Sequence, residues 1–134
     1  MPAALDLRGK AGPTFKKRPT MAQEETAQSP LEAFEALAAQ APANVMVRYS
    51  LGREYLKARR YAEAEREFRE AVRLKPDYSA AYRELGKSLV ELRRPDEAKE
   101  IYQQGADIAC EKGDLQTKRE IEVFLRRLDK KDPA

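Results

Sequence analysis

The sequence predicts an all-α fold: an array of stacked helical hairpins, about six helices in all, with a capping helix at the C-terminal end. The first observation behind this prediction is a motif of large and small apolar residues that recurs at an offset of 34 residues. The second is that apolar residues within each stretch lie three and four apart, as on one face of a helix. A fixed period of this length is typical of helix-turn-helix units that stack on one another.

The recurring motif can be read directly from two stretches of the chain. The first stretch contains Arg48-x2-Leu51-Gly52-x2-Tyr55, Ala64-x3-Phe68, Ala71 and Pro76. The second contains, at the matching places, Tyr82-x2-Leu85-Gly86-x2-Leu89, Ala98-x3-Tyr102, Gly105 and Cys110. These residues resemble the tetratricopeptide repeat (TPR) family, in particular its small bacterial members. The resemblance implies a right-handed array that binds other proteins and carries no chemistry in the repeat itself.

The period also indicates how the chain is organised. Residues 1–28 combine Pro, Gly, Thr, Gln and Lys with few large apolar groups, so we expect a disordered basic tail. The remainder is assigned to one TPR domain at 29–132. Its expected parts are a half-repeat helix at 29–44, a first repeat at 45–78, a second repeat at 79–112 and a capping helix at 114–130.

The first helix is predicted from its cap. Ser29 can cap it, Pro30 suits the first helical position, and Glu32 completes a capping box. The helix should end near Gln40, before Pro42. Its apolar residues at helical spacing are Leu31, Phe34, Leu37 and Ala38. Because Phe34 and Pro42 lie one period before Phe68 and Pro76, this helix is interpreted as the second helix of an incomplete repeat.

The first complete repeat is expected to form helices at roughly 44–58 and 61–74. Gly52 should let a neighbouring helix approach closely, and Phe68 should be the large buried side chain for which Ala64 and Ala71 leave room. Pro76 then ends the second helix because it cannot continue the hydrogen-bond ladder.

The second repeat follows the same plan with two departures. Pro95 should start its second helix. Gly105 replaces the small alanine, and Cys110 stands where the terminating proline would be, so the helix should run to about Glu111 before Lys112-Gly113 closes it. Cys110 is interpreted as a small buried residue near the helix end, in preference to a redox site.

The last helix is interpreted as a cap that covers the open end of the array. Asp114 can cap it, and its apolar residues should share one side. Arg119 and Glu120 occupy the places of the Leu-Gly pair, which argues against a third repeat. The apolar residues assigned to the buried side are Leu115, Ile121, Phe124, Leu125 and Leu128.

A candidate binding surface lies on the first helices of the two repeats, away from the buried stripe. The resemblance implies a concave groove there that binds extended peptides or partner helices. Its candidate residues are Met46, Tyr49, Arg53, Leu56, Lys57, Arg83, Lys87 and Val90. The same pattern equally fits a structural role, in which Tyr49 and Leu56 pack against neighbouring helices while Arg53 and Lys87 are only solvated.

One specialised form of peptide binding is disfavoured. TPR domains that grip a C-terminal carboxylate use a clamp of Lys, Arg and Asn on this face. Here Arg53 and Glu84 stand at the two asparagine places, so the clamp is incomplete. A looser preference for acidic peptides is the remaining expectation.

Composition argues against catalysis, cofactors and metals. The chain has no histidine and one cysteine, and it lacks a glycine-rich phosphate loop or a metal-ligand spacing. The acidic residues Glu63, Glu65, Glu67 and Glu70 lie beside arginines and should form solvated ion pairs. No apolar run reaches the roughly 18 residues of a membrane span. We therefore expect a soluble cytoplasmic scaffold without enzymatic activity, cofactor or membrane association.

The sequence does not name the partner. A protein or a peptide of acidic character is the leading class, and a homodimer is an alternative, because so short an array buries little surface by itself. A nucleic-acid adaptor is the other alternative, using the basic arm Arg8, Lys10, Lys16, Lys17 and Arg18. Against nucleic acid, residues 30–134 hold 21 basic and 20 acidic residues, so the array has no overall electrostatic bias.

Overall fold

The computed structural model describes residues 29–131. Every regular element in that range is a helix, which confirms the predicted all-α array and its capping helix. The predictions made for 1–28, including the disordered tail and the basic arm, lie outside the described residues. The helices are α1 (Pro30–Gln40), α2 (Val45–Lys57), α3 (Tyr61–Leu74), α4 (Ser79–Glu91), α5 (Pro95–Lys112) and α6 (Leu115–Lys131).

The chain divides into two compact units, 1–33 and 34–134. The described part of the first unit is the start of α1, where the predicted capping box is present. The Ser29 hydroxyl oxygen accepts a hydrogen bond from the Glu32 amide at 3.2 Å, and the Ser29 amide donates to the Glu32 carboxylate at 3.4 Å. Two amide donors that the helix itself cannot satisfy are thereby paired.

In the second unit each helix from α2 onward packs against the next one along the chain. The first helices of the hairpins also touch: α4 contacts α2, and α6 contacts α4. The capping helix α6 therefore packs beside α4 in the same way that α4 packs beside α2. It takes this place although Arg119 and Glu120 replace the Leu-Gly pair, because Ile121 and Leu128 supply its buried face.

The core of each hairpin is built on one large aromatic side chain facing a glycine. Phe68 is 0% and Tyr102 is 1% exposed. A Cβ atom on Gly52 would lie 2.6 Å from the Phe68 ring, and Gly86 faces the Tyr102 ring in the same way. Glycine is required at both places because any side chain there would occupy the space of the ring.

The turns between helices repeat a hydrogen bond at the same offset as the sequence motif. The Arg48 Nε donates to the Pro42 carbonyl at 2.9 Å, and the Tyr82 hydroxyl donates to the Pro76 carbonyl at 2.7 Å. Both side chains thus satisfy a carbonyl at the turn that precedes their own helix. Because any residue can supply this backbone carbonyl, the contact shows that the turn geometry recurs, independently of the proline side chain.

The turns inside the two hairpins hold a feature that the sequence did not reveal. Arg59 and Arg93 adopt φ values of 60° and 64°, in the left-handed region where glycine is favoured. The amide of the following residue closes each helix: Arg60 donates to the Tyr55 carbonyl at 2.9 Å and Arg94 to the Leu89 carbonyl at 3.0 Å. The backbone geometry of these turns therefore also recurs every 34 residues.

Two predicted burials are wrong, and a third apolar residue, placed by the sequence at helical spacing, is also exposed. Cys110 is exposed, because the buried stripe of α5 passes through Gly105 and Ala109, and the next residue points about 100° away. Leu115 is 51% exposed because it lies outside the stripe of Thr117 and Ile121. Leu37 is 45% exposed, since the buried position of α1 is its neighbour Ala38.

Helices α1 and α2 are joined by a short hydrogen bond. The Tyr55 hydroxyl donates to the Glu35 carboxylate at 2.6 Å, and the Arg60 guanidinium lies 4.9 Å from the centre of the Tyr55 ring. Burial, and then the bond to Glu35, raise the pKa of Tyr55 to about 12. The ordinary value is about 10.

This shift predicts a pH-dependent contribution to stability. A raised pKa means that the folded chain holds the Tyr55 proton more tightly, so the contribution is complete below about pH 10 and lost as the pH rises through about 12. We expect Tyr55→Phe to lower the free energy of unfolding by about 1.5 kcal/mol at pH 7. The difference from the native chain should shrink toward zero near pH 12 in urea denaturation. A difference that is constant with pH contradicts the assignment, because the other tyrosines titrate in both proteins.

Candidate functional site

The structure divides the eight predicted groove residues into two groups. In the first group, on α2 and α4, Tyr49 and Arg83 pack internally, whereas Met46 and Arg53 are exposed at the edge of that packing. Tyr49 is 8% exposed, with its ring centre 5.8 Å from that of Phe68 and 5.0 Å from that of Tyr78. Burial, and then the charge of Glu84, raise the pKa of Tyr49. Tyr49 is thus part of the core between the two repeats.

Arg83, expected as a cation facing a ligand, is instead a connection between three helices. Its guanidinium donates to Glu84 at 2.7 Å, to Glu120 of α6 at 2.7 Å and to the Tyr49 hydroxyl of α2 at 3.1 Å. Burial lowers the pKa of Arg83, but the hydrogen bond and charge of Glu84 outweigh burial and leave it raised. The same Glu84, only 5% exposed at its side chain, also pairs with Lys87 at 3.2 Å.

Met46 and Arg53 lie at the edge of this internal cluster. Met46 is 58% exposed, and its sulfur accepts a hydrogen bond from the Tyr78 hydroxyl at 3.6 Å. The Arg53 guanidinium lies 6.0 Å from the centre of the Tyr49 ring. Arg53 also lines a small cavity of about 140 Å³ with Phe34, Ser50, Glu54 and Lys57.

The second group of predicted residues lines a larger cleft of about 480 Å³. Leu56 and Lys57 come from α2, and Lys87 and Val90 come from α4. The sequence missed the other walls, which α6 supplies in large part. The added lining residues are Tyr61, Glu91, Tyr102, Phe124, Arg127 and Leu128. A signal for α6 was present, because Phe124, Arg127 and Leu128 lie three and four residues apart.

An aromatic pair forms one part of the cleft. Phe124 stacks on Tyr102 with ring centres 5.6 Å apart and an angle of 27° between the rings. Two cations lie near the Phe124 ring, the Lys87 Nζ at 6.0 Å and the Arg127 guanidinium at 5.7 Å from its centre. The cleft therefore offers apolar surface beside positive charge, the combination that suits a peptide with apolar and acidic groups.

The acidic residues of α3 form the expected ion pairs, but the side chains of Glu65 and Glu67 are only 13% and 14% exposed, so their pairs are not solvated as the sequence suggested. Glu67 pairs with Arg48 at 2.8 Å and Glu65 with Arg94 at 2.9 Å, while Glu63 and Glu70 pair with Arg60 and Arg73. Within residues 29–131 no group of three His, Cys, Asp or Glu side chains is arranged to hold a metal ion. No helix in the same range is long and apolar enough to cross a membrane.

Comparison with known proteins relates this geometry to a family. A family model described as tetratricopeptide repeat matches residues 27–79 and 49–111. A TPR repeat-containing protein of Pseudomonas aeruginosa is 33% identical over 100 residues, which cover 75% of this chain and 95% of that protein.

Solved structures show the same likeness. The solution structure of a protein from Bordetella parapertussis has 34% identity and a TM-score of 0.71, covering 79% of this chain and 92% of that one. The TPR2B domain of yeast Sti1, solved in a complex with pHsp70, has a TM-score of 0.72 and covers 84% of this chain and 88% of that one. At 16% identity, this second likeness concerns the fold alone.

Proposed function

Because the chain belongs to the tetratricopeptide repeat family, whose fold is generally one of protein interaction, we propose that it is a non-catalytic module that binds a peptide or helix of a partner protein. The binding place is the cleft between α2, α4 and α6. One observation carries this proposal: four residues expected from the sequence to face a ligand meet the aromatic face of α6 around a cleft of about 480 Å³. Ligand sites in proteins commonly fall in this range of volume.

Two of the remaining predicted groove residues, Tyr49 and Arg83, support the cleft indirectly. Arg83 connects Tyr49 of α2 with Glu120 of α6 through its own helix α4. These three helices supply most of the lining residues of the cleft, beside Tyr61 of α3 and Tyr102 of α5. A guanidinium that fixes their spacing before a ligand arrives lowers the ordering cost of binding.

The proposal is tested by reversing charge at the rim of the cleft. Lys57 and Arg127 are both exposed and line the cleft, and Lys57 gives up only an ion pair with Glu54 in which its own side chain is 68% exposed, so the double variant Lys57→Glu, Arg127→Glu should fold normally. We expect it to lose at least 90% of the partner protein that the native chain captures from an extract of the source organism, because each reversal replaces an attraction with a repulsion. Captured proteins are identified and quantified by mass spectrometry.

A matched control makes the same change in net charge at two positions outside the cleft. Arg66 on α3 and Arg119 on α6 are exposed and do not line the cleft, so Arg66→Glu, Arg119→Glu should retain the partner. Equal capture by the native chain and the Lys57, Arg127 variant would show that the cleft is not the binding place. Equal loss in both variants would show that the partner responds to net charge alone.

A further inference from the structure

Tyr102, one of the residues that line the cleft, carries a buried hydroxyl group that has no hydrogen-bond partner among residues 29–131. Tyr102 is 1% exposed. Burial, and then the nearby carboxylates of Glu84 and Glu91, raise the pKa of Tyr102, so the hydroxyl keeps its proton and can donate. A buried donor without a partner destabilises the protein, and a hydrogen bond to an acceptor on a ligand would remove that penalty.

Packing alone does not account for this hydroxyl. The equivalent residue of the first repeat is Phe68, which fills its place against Gly52 at 0% exposure without any polar atom. Tyr102 occupies the same place against Gly86. The difference between the two large aromatic residues is therefore one hydroxyl, and it belongs to the residue that borders the cleft.

The charges around the cleft come from three separate helices. Lys57 lies on α2, Lys87 on α4 and Arg127 on α6, whereas Glu91 is the one carboxylate among the described lining residues. Arg127 forms no ion pair within residues 29–131 and lies over the Phe124 ring. Cations spread around an apolar surface suit several acidic side chains better than one terminal carboxylate.

We propose that the ligand of this cleft is an internal peptide segment in which acidic side chains flank an aliphatic one, a proposal that rests on the proposed function. The aliphatic side chain packs on Phe124 and Val90, and a carbonyl oxygen of the segment accepts the Tyr102 hydrogen bond. The flanking carboxylates face Lys57 and Arg127. In this arrangement one ligand gives the Tyr102 hydroxyl an acceptor and Arg127 a carboxylate partner.

A short synthetic peptide tests the ligand class. Acetyl-Glu-Leu-Glu-amide is titrated into the ¹⁵N-labelled full chain, and the amide shifts of Val90 and Phe124 are followed by NMR. We expect saturable binding that is at least five-fold tighter than that of acetyl-Gln-Leu-Gln-amide or acetyl-Glu-Ser-Glu-amide. The first control removes the carboxylates that face the cations, and the second removes the aliphatic side chain. Tighter binding of acetyl-leucine, which carries a terminal carboxylate, would overturn the choice of an internal segment.

The Tyr102→Phe variant separates a recognition role from a structural one. Removing an unsatisfied buried hydroxyl should leave the urea midpoint of unfolding unchanged or higher, while the peptide binds about five-fold more weakly. A lower midpoint, or unchanged peptide affinity, would show that the hydroxyl acts within the fold and not on the ligand.

Failure of this inference is distinguishable from failure of the proposed function. If the three peptides bind equally but the Lys57→Glu, Arg127→Glu variant loses its captured partner, the cleft is a binding site and the ligand class is wrong. If that variant keeps its partner, the proposed function itself fails, whatever the peptides do.

Discussion

Replacing Phe68 by alanine should lower the free energy of unfolding by about 4 kcal/mol. The side chain is 0% exposed and fills the space between α2 and α3 that Gly52 leaves open. Removing the ring forfeits its transfer free energy and leaves a cavity that two rigid helices cannot close. Because a domain of this size is stable by only about 5–15 kcal/mol, urea denaturation followed by far-UV circular dichroism will show the loss directly.

Two companion variants control for the geometry of the contact. Phe68→Leu keeps most of the apolar volume and should cost less than about 1.5 kcal/mol, which leaves a measurable protein if Phe68→Ala does not fold. Gly52→Ala should destabilise the native chain although alanine favours helix, because its Cβ would lie 2.6 Å from the Phe68 ring. Combined with Phe68→Leu, the Gly52 change should cost less than it does alone. Strict additivity would contradict the contact.

The second large effect is expected at Arg83. Its substitution by methionine should lower the free energy of unfolding by about 3 kcal/mol at pH 7, because the Glu84 carboxylate, 5% exposed, would lose its guanidinium partner and keep only the more exposed Lys87 at 3.2 Å. The variant also gives up the hydrogen bonds to Tyr49 and Glu120 that connect α4 with α2 and α6. Thermal and urea denaturation both measure this loss.

A variant of an exposed ion pair and a double variant show whether the loss of stability in Arg83→Met is due to the burial of Glu84. Arg73→Met removes the partner of Glu70, where both side chains are far more accessible, and should cost less than about 0.5 kcal/mol. Arg83→Met together with Glu84→Gln should recover much of the stability lost in Arg83→Met, since the buried negative charge is then removed together with its guanidinium partner. A double variant that is less stable than the single one would indicate that the connection between helices, and not the charge, dominates.

The elements that sequence predicted well are those that depend on neighbours in the chain. The helix Tyr61–Leu74 has the predicted bounds, and the capping box of Ser29 and Glu32 is present, because both follow from contacts within a few residues. Gly52 was correctly expected to allow a close approach and Phe68 to be buried, since their types and spacing recur one period later, but their contact with each other was not predicted.

The candidate site was predicted only in part, because its contacts are not periodic. Leu56, Lys57, Lys87 and Val90 do line one cleft. Arg83 was expected to face a ligand, yet it contacts Glu120, which lies 37 residues away and has no counterpart in the repeat. The helix α6 was interpreted as a cap alone, although its aromatic face forms part of the cleft.

The 34-residue period is enough to predict the all-α array, since it records the contacts that every repeat shares with its neighbour. Which polar side chains of the predicted groove make internal contacts follows only from how the helices pack. Tyr49 and Arg83 form internal contacts, while Tyr102 has a buried hydroxyl with no hydrogen-bond partner among residues 29–131. The physical reason is that periodicity fixes the direction in which a side chain points, whereas its partner depends on distances between helices remote in sequence.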